Sequence, residues 1–181
     1  MNVLVAYSSR HGATAGIAKH IATHLTEAGV PAEAVSVDKV TSVGGYDAVV
    51  LGASAYIFRW QKAAVHFAHE HAKHLAAHPL WLFSSGPIGT DLVDKQGVDV
   101  FVATRPKEFD ELVELLHPVG EKVFFGAYDP TARPIGMSER LIRTMPAARN
   151  GLPAGDFRDW PAIEAWAQEV ADELRGKAAT P

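Results

Sequence analysis

Ser8-Ser9-Arg10-His11-Gly12-Ala13-Thr14 is the stretch whose residue types can do chemistry most directly. It holds hydroxyls, one guanidinium, one imidazole and one residue without a side chain. Val3-Leu4-Val5-Ala6-Tyr7 ahead of it is an apolar run of the kind a buried parallel strand shows. Ile17, Ile21 and Leu25 behind it recur every four residues, a helical stripe. Strand, polar loop and helix together aim backbone N–H groups and the positive end of a helix dipole at an anion, above all a phosphate. Ser8, Ser9 and Thr14 add neutral donors, and Gly12 lets the backbone approach closely. The loop has no G-x-x-x-x-G-K-[ST] lysine and no G-x-G-x-x-G fingerprint. The alternative is a polar turn whose hydroxyls only cap the helix.

Two further loops carry residues suited to a ligand. Ala53 to Trp60 is read as a loop in which Ser54 and Ala55 precede Tyr56, Ile57, Phe58, Arg59 and Trp60. Ser84-Ser85-Gly86-Pro87-Ile88-Gly89 is small and polar. A flavin needs a phosphate cradle, flat apolar groups beside its ring and backbone amides for its pyrimidine edge, and the three loops can supply these in that order. Tyr56, Phe58 and Trp60 are candidates to pack on the ring, or else they cover the end of a sheet or meet a partner. Arg10 and Arg59 can assist an anion or remain solvated. No catalytic acid or base can be named.

The elements that must position these loops follow from periodicity. A first helix is expected from about Thr14 to Ala28, stopped by Gly29 with Pro31 beyond. Further strands are expected at Ala32–Val37, Asp47–Gly52, Leu80–Phe83 and Val123–Ala127. Helices are expected from about Gln61 to Ala77, around Phe109, Leu112, Val113 and Leu116, and after Asp159 with Ile163, Trp166, Ala167, Val170 and Leu174 on one face. Strands alternating with helices predict an α/β fold with a parallel sheet covered on both faces. At 181 residues the chain is expected to be one domain over residues 1–176, with a loose tail at 177–181.

The first loop resembles the flavodoxin phosphate loop, roughly S-x-T-G-x-T, with Ser9, Gly12 and Thr14 at its hydroxyls and glycine. His11 stands where that family usually has Thr, and Ala13 where Asn is common. The likeness extends over almost the whole chain. Within the flavodoxin-like proteins it looks most like the menaquinone-dependent protoporphyrinogen oxidases of that fold. The stretches that carry this are Tyr7 to Thr14, Val50-Leu51-Gly52-Ala53-Ser54, Gly155-Asp156-Phe157-Arg158-Asp159-Trp160 and Ser138-Glu139-Arg140-Leu141-Ile142-Arg143. The resemblance implies a five-stranded parallel sheet in the order 2-1-3-4-5, with ligands at the C-terminal ends of strands one and three. It implies FMN held without a covalent bond, porphyrinogen oxidation, and electrons passed to a quinone. The sequence departs from many flavodoxins in offering no aromatic residue over Ser85 to Gly89.

Two rivals remain: an electron-carrier flavodoxin with no substrate of its own, and a flavin-free binding protein on the same fold. Carrier flavodoxins tend to be strongly acidic near the flavin, and a net charge of -4 is mild. That charge also gives no general attraction to nucleic acid. The chain has no cysteine, hence no disulfide, thiol nucleophile or thiolate metal site. His66, His69, His71, His74 and His78 lie on one expected helix without an H-E-x-x-H pattern. They are read as a largely solvated face and not as a metal site, since Val65, Ala68, Ala72 and Leu75 form the buried stripe. Met137, Leu141, Ile142 and Met145 recur at helical spacing among Arg133, Arg140, Arg143 and Arg149. That pattern suits peripheral contact with a membrane surface, a quinone or an acidic partner, and equally packing on the domain or in a homo-oligomer. No secretory signal or membrane span is read in the sequence, so a cytoplasmic protein is expected, with peripheral contact at the membrane's inner face through 129–158.

Overall fold

The computed structural model describes residues 1–133, 135 and 153–178. Its centre is a parallel sheet of β1 (Val3–Ser8), β2 (Ala32–Ser36), β3 (Ala48–Tyr56), β5 (Leu80–Ser85) and β6 (Gly120–Phe124), in the order β2-β1-β3-β5-β6. With the short strand β4 (Arg59–Trp60) set aside, this is the expected order 2-1-3-4-5. β4 pairs antiparallel with the end of β3. β7 (Ala127–Tyr128) and β8 (Gly155–Asp156) form a separate antiparallel pair.

The sheet is apolar on both faces because helices cover both. Val3 and Val5 point to one side, where α1 (Ala13–Glu27) supplies Ile17, Ile21 and Leu25. The long C-terminal helix α6 (Trp160–Ala178) adds Ile163, Trp166, Val170 and Leu174 to that core. Leu4 and Ala6 point the other way, toward Phe67 of α2 (Lys62–Glu70), Leu75 of α3 (Ala72–Leu75), and Phe109, Leu112 and Leu116 of α5 (Glu108–Leu116). A short helix α4 (Val100–Ala103) is capped by Asp99, whose side chain accepts from the N–H groups of Phe101 and Val102. α1 ends at a Schellman arrangement in which Val30 N donates to the Leu25 carbonyl at 2.8 Å and Gly29 N to that of Thr26 at 3.0 Å.

The expected boundaries shift where tertiary contacts outweigh local pattern. β3 continues four residues past Gly52, to Tyr56, because hydrogen bonding to β4 keeps the chain extended. The expected loop 53–60 is therefore largely a hairpin. The fifth strand of the sheet lies at Gly120–Phe124 and not at Val123–Ala127. It leaves the sheet where Gly126 N turns to the Pro87 carbonyl at 2.8 Å. The expected helix 61–77 breaks at His71, with α3 following as a separate piece. α6 runs to Ala178, into the stretch read as a tail. Met137, Leu141, Ile142, Met145, Arg140, Arg143 and Arg149 lie outside the described residues, so the amphipathic reading of that segment is not addressed by the fold.

Candidate functional site

The C-terminal ends of β1, β3 and β5 lie side by side in the sheet, with Ser8 level with Ala53 and Ser54 level with Ser85. The three expected loops therefore start from one edge. At the first loop, Gly12 caps α1 in the left-handed region, with φ 87°, and offers no side-chain bond to the helix. Ser9 Oγ accepts the Gly12 N–H at 3.1 Å. The first-turn N–H groups, from Ala13 onward, have no intrahelical acceptor by the geometry of any α-helix. No acidic residue stands in that turn to offset the positive end of the dipole. α6 is built differently: Asp159 accepts the Ala162 N–H at its start. Arg10, His11 and Gly12 are exposed, so the N-terminus of α1 opens to solvent.

Hydroxyls of the three loops are used to tie the loops together. Thr14 is fully buried, and its Oγ1 lies 2.8 Å from Ser85 Oγ, joining the first loop to the third. Ser8 Oγ donates to Gln61 Oε1 at 2.9 Å, and Gln61 Nε2 donates to Ser54 Oγ, joining the first loop to the second through the start of α2. Gly86 packs against the Cβ of Ala55, and its N–H donates to the Phe124 carbonyl at 3.2 Å. Among the described residues Ser84 Oγ, which is buried, has no hydrogen-bond partner. Pro87 is buried, whereas Ile88 and Gly89 are half-buried at the rim.

The second loop presents its apolar residues on a strained turn. Ile57 and Phe58 join β3 to β4 with φ of 50° and 59°, the sign a two-residue type I′ turn requires at both positions. Such values are costly for a β-branched residue and an aromatic. Both side chains are exposed, as is Tyr56. The Arg10 guanidinium lies 5.7 Å from the centre of the Tyr56 ring. Glu108 fixes the hairpin from α5: it accepts the Trp60 N–H at 3.0 Å and an Arg59 N–H at 3.2 Å.

For two residues of this loop the structure bears on alternatives the sequence left open. Trp60 is buried, donates its indole N–H to the Ala53 carbonyl at 3.1 Å and meets Phe109 edge-on, so it is core and cannot stack on a ligand. Arg59, largely exposed, pairs with Glu108 of α5. The histidine helix differs from expectation. His66 and His69 are exposed, but His71, His74 and His78 are half-buried. His74 and His78 stack at 4.0 Å, and His74 Nε2 is buried without a hydrogen bond. Burial, then the charge of a protonated His78, pushes the His74 pKa below the usual imidazole range. Among the described residues no group of three or more His, Cys, Asp or Glu side chains is arranged to hold a metal ion.

A cleft of about 700 Å³ runs along the outer side of the first loop, between His11, Gly12 and Ala13 and the β7–β8 pair with Tyr128, Asp156 and Arg158. Arg158 is bonded to Asp156 through Nε at 2.7 Å and Nη2 at 2.5 Å, and those bonds hold the Asp156 carboxyl below the usual carboxylate range. Arg158, Asp156 and Gln61 were not among the residues expected at the site. Arg158 and Asp156 stand in the stretch from Gly155 to Trp160 that carries the resemblance, but its residues do not indicate a return to the first loop. Gln61 gave no signal beyond its place at a helix start.

A family model described as "Flavodoxin domain" matches residues 4–132. Over 86 residues the chain is 33% identical to the protoporphyrinogen IX dehydrogenase (quinone) of Escherichia coli K12, which covers 46% of this chain and 48% of that protein. The chain thus spans about half the length of the curated relatives it matches. A flavodoxin structure from the domain Archaea superposes with a TM-score of 0.57 at 14% identity, covering 97% of this chain and 99% of that one. A flavodoxin variant from Pseudomonas aeruginosa gives 0.60 at 15% identity, with 97% and 99% covered. The rubredoxin oxygen:oxidoreductase of Desulfovibrio gigas gives 0.60 at 12% identity, covering 99% of this chain and 37% of that one. With the sheet order, the site geometry and the model match in agreement, the chain belongs to the flavodoxin domain family.

Proposed function

We propose that the protein is an FMN-binding oxidoreductase that takes electrons from a porphyrinogen and passes them to a quinone. The observation that carries the FMN part is the N-terminus of α1: capped by Gly12, free of acidic residues in its first turn and open to solvent. The donor set fits a phosphate monoester. Helix N–H groups and Ser9 supply neutral donors, and Gly12 leaves room above the backbone, since an added Cβ would meet nothing within 4 Å. The rim residues Ile88 and Gly89 suit the polar edge of a flavin, and Tyr56, Ile57 and Phe58 suit its ring.

When bound, FMN supplies reversible reduction, and the chain supplies orientation and electrostatics. The Thr14–Ser85 and Ser8–Gln61–Ser54 bonds keep the three loops in register, so that phosphate and ring are held by one rigid edge. Tyr56, Ile57 and Phe58 at the exposed hairpin tip would shield the ring from water on one side.

The porphyrinogen and quinone assignments rest on the Escherichia coli relative and on the place of β7–β8. That pair brings together the two described ends of the segment from Asp129 to Arg158 beside the first loop, where a substrate would meet the cofactor. No helix among the described residues is long and apolar enough to cross a membrane, so quinone access would be peripheral. A carrier without its own substrate is the second reading; the flavodoxins that align over 97% of this chain share its fold. Anaerobic mixing of the FMN-loaded protein with protoporphyrinogen, then with a quinone, separates the two. Bleaching of the flavin followed by recovery is expected. Flavin that stays oxidised with porphyrinogen, but accepts electrons from a reduced redox protein, would favour the carrier.

A further inference from the structure

Arg158 stands at the unfavourable end of a helix. Its Nη1 donates to the carbonyl of Ala13 at 3.3 Å, which puts the guanidinium against the first turn of α1. A cation there is repelled by the positive end of the helix dipole. The side chain is nonetheless well held: it is only 18% exposed, fork-bonded to Asp156, and centred 4.4 Å from the Trp160 ring. Room for it exists because residue 16 is glycine, since a Cβ at Gly16 would collide with Nη1 of Arg158. Fork, ring and gap all act to keep a positive charge where the helix alone disfavours one.

We infer that Arg158 is a positioning residue for the anionic end of the cofactor, so that it discriminates the phosphate and not the ring. This rests on the FMN reading above. Asp156 neutralises Arg158 in the free protein. A phosphate at the N-terminus of α1 reverses the sign of the helix–arginine interaction, because it brings a dianion to the cleft that Arg158 lines together with His11, Gly12 and Ala13. The guanidinium then strengthens phosphate binding, directly or by holding the first turn at Ala13, and has no contact reason to affect the isoalloxazine. Arginine suits the task better than lysine because its planar fork can keep Asp156 and still present an N–H edge to the phosphate side.

The test compares FMN with riboflavin, which carries the same ring without the phosphate, on wild-type protein, Arg158→Gln and Arg158→Lys. Fluorescence titration at several salt concentrations gives Kd and its salt dependence, and thermal melting of the apoproteins reports folding. Arg158→Gln is expected to weaken FMN by about tenfold or more, the loss of a charge-assisted bond, with a shallower salt dependence. Riboflavin affinity is expected to stay within about twofold, because no charged contact is lost. Arg158→Lys should recover part of the FMN affinity. Equal weakening of both flavins, or none of either, would overturn the inference and leave Arg158 a structural clamp. Wild-type protein that binds neither flavin would overturn the FMN reading itself, and this inference with it.

Discussion

The buried contact between Thr14 and Ser85 makes the role of the first loop testable by a double-mutant cycle. Thr14 was expected to donate to the phosphate, yet it is fully buried and its hydroxyl is 2.8 Å from that of Ser85. Thr14→Val keeps the shape and removes the hydroxyl. It leaves Ser85 Oγ, on a residue only 3% exposed, without its partner. An orphaned buried hydroxyl costs about 1–3 kcal/mol. Ser85→Ala removes the other partner, leaves Thr14 orphaned and should cost a similar amount. The double variant has no orphan, so its loss should be smaller than the sum by roughly 1 kcal/mol or more. For a chain of this size each 1 kcal/mol moves Tm by about 2–4 °C, within reach of urea titration and calorimetry. The same four proteins, titrated with FMN, show where Thr14 acts. If it works by tying the loops together, Thr14→Val weakens FMN in the wild-type background and adds nothing once Ser85 is alanine. Additive stability losses would refute the bond. A further tenfold loss of FMN affinity in the Ser85→Ala background would show that Thr14 donates to the phosphate itself.

Ile57→Asn with Phe58→Gly installs the pair that a two-residue hairpin prefers, so denaturant stability should rise by about 1 kcal/mol while FMN affinity falls with the lost apolar contact; unchanged affinity would show that the tip does not touch the ring. Glu108→Ala frees the Trp60 N–H and Arg59 together and should cost about 1–3 kcal/mol by denaturation, with a hairpin that proteases reach more readily. Burial, then the charge of a protonated His78, lowers the His74 pKa in the folded chain, with His71 and the Tyr46 backbone also facing it. Below the ordinary imidazole pKa of about 6.5 the unfolded chain therefore binds more protons, and stability should fall as pH drops through that window toward the lower folded value. His74→Leu should flatten this slope, and an unchanged slope in melts between about pH 7 and 5 would place its origin elsewhere.

The parallel sheet was legible because it depends on features one sequence carries, whereas its order came only with the flavodoxin resemblance and not from any strand's own residues. Buried parallel strands read as apolar runs such as Val3 to Tyr7, and the alternation with Ile17, Ile21 and Leu25 leaves one hand of crossover. Much less could be read where a residue's fate depends on a partner distant in the chain. Trp60 looks like a loop aromatic until the Ala53 carbonyl and Phe109 enclose it. Arg59 looks free until Glu108, 49 residues on, takes it. Thr14 and Ser85 were both expected at the ligand, but their bond to each other spans 71 residues and follows only from the pairing of β1, β3 and β5. Arg158 lies 145 residues from the carbonyl it meets. The half-buried His74 lies in the separate piece that follows the break at His71, where Leu75 stays buried as expected; its stacking on His78 depends on local geometry that spacing does not carry.

The central claim is that FMN is held at the N-terminus of α1. Its most direct measurement is titration of apoprotein with FMN, followed by flavin fluorescence and by the rise in Tm, for wild type and Gly12→Val. Valine at a position with φ of 87° distorts the loop and places a side chain in the space above it. One FMN per chain, a rise in Tm that grows with FMN concentration, and loss of both in Gly12→Val are the predicted results. No saturable binding by the wild type, or equal binding by Gly12→Val, would contradict the account.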